Sequence, residues 1–182
     1  AAGAAGAIAG ASLWESTAHA AEPQFSAFQV VTPTRLVDTR PEEGDFGYTR
    51  IDEHVIRVQV TGREINGSTD TVPDEATAAV FTLVGLNRTS MGNYLSAFPT
   101  GTSWPGTANL NMTGWNDVSP NLVTVKLGEG GAVDVYAFRD AEIVLDLVGV
   151  YLPTGGEAVS AGRFQLWKSP KRVLDSRELG PP

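Results

Sequence analysis

Apolar and polar residues alternate with period two along most of the chain after residue 24, and helical periodicity is almost absent. His54, Ile56, Val58 and Val60 alternate with Val55, Arg57 and Gln59, which predicts a strand with one face turned inward. Residues 77–87 are apolar on both faces and suit a central strand. Residues 93–98 form the next strand, stopped by Pro99, and 107–111 a short one. Val123, Val125 and Leu127 share one face over 121–127, and Val133, Val135 and Ala137 one face over 132–138. The most hydrophobic strand spans 141–152 and is closed by Pro153.

The intervals carry turn residues. Ser90–Asn93 reads as a hairpin turn, and so does Gly128-Glu129-Gly130-Gly131. Residues 61–75, 99–106 and 112–120 read as loops, with Pro73, Pro99, Pro105 and Pro120 in or at them. Strands at about ten-residue spacing with such loops predict an all-β, antiparallel β-sandwich.

A longer pattern overlies this one. Residues 33–40 read P-T-R-L-V-D-T-R and residues 170–177 read P-K-R-V-L-D-S-R, 137 residues apart. Phe28-Gln29 and Phe164-Gln165 precede the two copies. A fixed long period implies tandem modules. The expected organisation is an Ala/Gly arm or signal remnant plus linker over 1–23, a sandwich module over 24–153, a linker over 154–162 and the first strands of a second repeat over 163–182.

Charge narrows the partners. Lys and Arg number 13 against 21 Asp and Glu, a net −8, which argues against nucleic acid and against anionic lipid headgroups. The sequence contains no Cys, so it offers no thiolate nucleophile and no Cys-ligated zinc. Residues 1–14 are small, apolar and uncharged. They read either as the core of an export signal, with Ala18-His19-Ala20 as its cleavage site, or as a retained segment packed against protein or lipid. Of the two, the retained segment is expected. The first residue is not Met, and the second copy runs only a few residues past its motif, so the chain reads as part of a longer polypeptide.

Several strings occur in order: P-T-R-L-V-D-T-R, L-N-R-T, A-F-P-T-G, A-N-L-N, P-N-L-V-T-V-K-L-G-E-G-G-A-V-D-V-Y and I-V-L-D-L-V-G-V-Y. In this order the chain resembles the exported "DTR" β-repeat modules of actinobacterial and related bacterial cell-surface proteins, over about 28–152 and again from about 164. The resemblance implies an extracellular accessory module, often in tandem, with no catalytic residue to carry over. It also implies Cys at two positions that here are Thr100 and Asp134. Loss of both is what a lost disulfide would leave, so their Cα atoms are expected within about 7 Å.

The candidate side chains are few. Arg35, Asp38 and Arg40 could fork an anion, or could lock the first strand onto the sandwich through Asp146. Period two puts Asp146 on one face with Val144, Val148 and Val150, so it is expected to be buried and paired, and the repetition at Arg172, Asp175 and Arg177 favours the lock. Trp104 and Trp115 sit in adjacent loops among Asn and Thr. They could stack on a glycan, but the favoured expectation is that both indoles plug the end of the sandwich. Asn66, Asn87 and Asn111 match glycosylation acceptors by chance. Asp134, Asp140 and Asp146 do not make a compact oxygen cage, and no metal or cofactor is expected. His19 and His54 lie in no catalytic motif, and no enzyme is expected.

The expected function is structural: a non-enzymatic surface module of an extracellular or virion-like assembly, held to other protein subunits by its N-terminal arm. The alternatives are a carbohydrate- or surface-binding adhesin domain using the loop tryptophans, and an accessory domain of an exported enzyme.

Overall fold

The computed structural model describes residues 26–153, and within them the chain forms nine strands. They are β1 (Ser26–Asp38), β2 (Thr49–Arg50), β3 (Val55–Gln59), β4 (Ala78–Asn87), β5 (Asn93–Pro99), β6 (Leu110–Met112), β7 (Val118–Lys126), β8 (Ala132–Ala137) and β9 (Ala141–Pro153). Two single turns of 3-10 helix interrupt the loops, at Pro41–Glu43 and Glu129–Gly131. The arm, the linker after residue 153 and the second motif copy lie outside the described residues.

The strands form two antiparallel sheets packed as a sandwich. The first has the order β1-β9-β4-β7 and the second β2-β3-β8-β5-β6. Period two dictates the layers, because alternate residues of each strand face the partner sheet. Leu36, Val37, Phe81, Leu83, Leu145 and Leu147 from the first sheet meet Val58, Leu95, Val133 and Val135 from the second, all fully buried. β4, apolar on both faces, lies between β9 and β7 as its composition predicts.

Both turns predicted as hairpins do something else. Residues 88–92 join β4 of the first sheet to β5 of the second, and residues 127–131 join β7 to β8 across the same gap. Asn87 fastens the first crossing: its side chain is fully buried, and its amide donates to Met91 O at 2.8 Å. In the second, Gly130 and Gly131 hold φ of 66° and 72°, a region few L-residues adopt.

Two element boundaries also move. The short strand predicted at 107–111 is Leu110–Met112, and β7 starts at Val118 inside the predicted loop 112–120. Pro120 sits within β7 opposite Val84. β7 is the last strand of its sheet, where a residue without an N–H is tolerated.

β9 carries a bulge. Val80 pairs with Gly149 but Phe81 pairs with Leu147, so Val148 is the extra residue. The bulge reverses the parity of everything after it. Val150 therefore joins Ile143, Leu145 and Leu147 in the core, and Asp146 does not share its face. Asp146 points outward in a row with Arg35 of β1 and Thr82 of β4.

Candidate functional site

The first candidate cluster lies on the outer face of the first sheet, across β1 and β9. Arg35 and Asp146 are register partners, and the Arg35 fork donates to both Asp146 oxygens, at 2.6 and 3.2 Å. Its third nitrogen donates to Asp38 at 2.9 Å. Arg40 donates from its side chain to both Asp38 oxygens at 2.8 and 2.6 Å, and from its backbone N–H at 3.2 Å. The structure thus brings together all four residues named from the sequence, but with their burial exchanged. Asp38 is the inaccessible carboxylate, with 1% of its side chain exposed, whereas Asp146 keeps 25%.

The electrostatics follow from that geometry. The hydrogen bonds from Arg40 hold the Asp38 carboxyl below its ordinary value of 3.8, against the opposing effect of burial. The bonds that Arg35 donates to Asp146 raise its guanidinium above the ordinary value. Every nitrogen of Arg35 and the Asp38-facing edge of Arg40 are already used on these carboxylates. An incoming anion would have to break them, so the cluster is arranged to tie β1 to β9 rather than to bind a ligand.

A comparable pair that the sequence did not disclose lies on the second sheet. Arg57 donates to both oxygens of the buried Asp134, at 2.8 and 3.0 Å, and the Thr100 hydroxyl donates to the same carboxylate at 2.8 Å. Thr100 and Asp134, expected close from the family resemblance, therefore touch, Thr100 just after β5 and Asp134 on the neighbouring β8.

The tryptophans do not plug the sandwich. Trp104 is 42% exposed and Trp115 63%. Nor do they act together: Trp115 joins no aromatic pair among the described residues, whereas Trp104 belongs to a row of rings. Loop 100–109 folds back over the outer face of the second sheet and lays Trp104 on Tyr136, with ring centroids 4.8 Å apart and planes within 19°. Tyr94 stacks beside it at 6.2 Å and on Phe138 at 5.0 Å. His54 extends the row at 5.5 Å from Tyr136, and the Arg139 guanidinium caps Phe138 at 4.3 Å. Burial, then the adjacent Tyr94 phenol, raise the Tyr136 phenol above its ordinary value. The signal for this row was present in the parity of β8. With Val133, Val135 and Ala137 inward, Tyr136 and Phe138 had to point outward.

His54 precedes β3 rather than lying in it, and its Nδ1 is 3.0 Å from the Ala137 carbonyl. It borders a cavity of about 60 Å³ shared with Thr39, Arg50 and Asp140, which holds no Ser or Cys nucleophile among the described residues. Among the described residues no three His, Asp or Glu side chains gather as a metal site. Asn87 is buried and cannot accept a glycan, whereas Asn111 is exposed. Comparison with protein-family models, with curated proteins and with solved structures finds no match to this chain.

Proposed function

We propose that the chain is a non-enzymatic structural module of an extracellular or virion-like assembly, docking to other protein subunits through the outer face of its first sheet. One observation carries this reading. The β4–β7 half of that face is a largely apolar strip in which Leu86 faces Val118, Val84 faces Pro120 and Thr82 faces Leu122. Leu122 is 65% exposed, and Val118 is also exposed. Exposed apolar surface of this kind, on the last strand of a sheet, is what subunit contacts use.

The ends of the module support the same reading. Ser26 pairs directly with Pro153, so the chain enters and leaves the sandwich at one corner. Successive modules on such a chain would hang side by side. The extracellular setting rests on the family resemblance, and anchoring by residues 1–23 lies outside the described residues.

Sedimentation velocity of the full chain tests the proposal. The expected result is concentration-dependent association that Leu122→Lys with Val118→Lys abolishes while thermal unfolding stays unchanged. A wild-type chain and a double variant that sediment alike as monomers would remove the docking face. Deletion of residues 1–22 tests the anchor separately, since incorporation into the assembly should then fail.

A further inference from the structure

The outer face of the second sheet has a different character from the docking strip, and nothing in the structural role uses it. We infer that this face is a carbohydrate-binding platform, on which a neutral pyranose ring of a polysaccharide stacks on Trp104.

The platform is built in layers. Tyr136 and Tyr94 are fixed by the β8 and β5 strands, which pair with each other. Trp104 lies nearly parallel to both, at 19° and 24°, so its underside is occupied and its other side accounts for the exposure. The loop that presents it is held at both ends. Thr102 donates its backbone N–H and its hydroxyl to Pro99 O, at 3.3 and 2.7 Å, while Asn109 bonds the backbone of Leu95 and Ala97. A ring fixed before binding loses little entropy when a ligand arrives.

The chemistry of the rim selects the ligand. A flat indole face offers a negative π surface to polarised C–H groups, and the axial face of a pyranose is a flat row of such groups. Sugar hydroxyls at the edge then need a few donors and acceptors. Asn111 sits opposite Tyr94 on β6, exposed, and its amide makes no hydrogen bond among the described residues. The same amide offers both a donor and an acceptor.

Two other ligand classes fit less well. Nucleic-acid bases also stack on aromatic rings, but a chain of net charge −8 cannot neutralise the accompanying phosphates. Proline-rich peptides insert into slots between upright rings. Here the rings lie on one another, so the slots are closed.

Native gel electrophoresis of the full chain, through gels containing hydroxyethylcellulose, xylan, β-1,3-glucan or glycol chitin, tests the inference. The wild type should be retarded in at least one gel. Trp104→Ala should lose at least ten-fold in affinity, Trp104→Phe should keep part of it, and Trp115→Ala should match the wild type. Leu122→Lys, on the opposite sheet, should be retarded normally even where it abolishes association, which separates this site from the docking face. Failure of all four gels to retard the wild type overturns the inference. So does equal retardation of Trp104→Ala and wild type, or loss on replacing Trp115 instead of Trp104.

Discussion

Asp38 accepts four hydrogen bonds from two arginines while almost out of contact with water. Replacing it with Asn takes from Arg40 its hydrogen-bonded anion and from Arg35 one of its two carboxylates, and urea unfolding at pH 7 should show a loss of about 2–4 kcal/mol. Asp146→Asn breaks a pair that water still reaches, and should cost about 1 kcal/mol or less. The pH dependence has a definite sign. Because the folded carboxyl sits below its ordinary 3.8, Asp38 contributes its full stability above about pH 5 and loses it as pH falls through 3.8 and below. Asp38→Asn should therefore flatten the acid limb of the stability curve measured between pH 5 and pH 2. Ser96, opposite Tyr136, makes the contrary case: its buried hydroxyl has no hydrogen-bond partner. Ser96→Ala should be neutral or raise stability by up to about 1 kcal/mol in the same assay. Arg35, Asp38 and Arg40 were legible from a repeated motif, and Asp146 from a strand carboxylate's need for a partner. Which carboxylate is buried was not: a period-two reading of 144, 146, 148 and 150 cannot see the bulge at Val148 that parts Asp146 from Val150, and nothing local marks Asp38 as sealed.

Among the elements, the two crossings decide the architecture. Gly128 opens the β7–β8 crossing, and a Cβ there would collide with the backbone of Thr100. Backbone cannot rotate out of the way as a side chain can. Gly128→Ala should thus lower stability by about 2–3 kcal/mol in thermal or urea unfolding, although its φ of −98° is open to any residue. A variant as stable as the wild type would show that the crossing is looser than its packing implies. Glycine-rich turns between two amphipathic strands look alike in sequence whether the strands pair with each other or lie in opposite sheets. Both layouts bury the same alternate residues. That is why 90–93 and 128–131 read as hairpins, and why only the pairing of β4 with β9 and of β5 with β8 settles the point.

At the scale of the whole molecule, β1 and β9 close the first sheet between residues 26 and 153, the two ends of the described chain. Such distant pairing cannot form until the intervening chain is brought together, so stopped-flow refolding should show its main phase between about milliseconds and seconds. A dominant microsecond phase would contradict this topology. The two outer faces then divide the surface by chemistry, one presenting aliphatic residues from β4 and β7, the other aromatic rings from β5, β8 and loop 100–109. The sequence by itself determined the all-β character and the approximate places of β3 to β9, because a period of two is a local property of extended backbone. It also determined the acidic charge and the residues of the salt-bridged cluster. Only the tertiary structure decided which strands are neighbours, which carboxylate is sealed from water, and that residues 94, 104, 136 and 138 form one row. Those outcomes depend on register and sheet order, which are set by contacts between segments far apart in the chain.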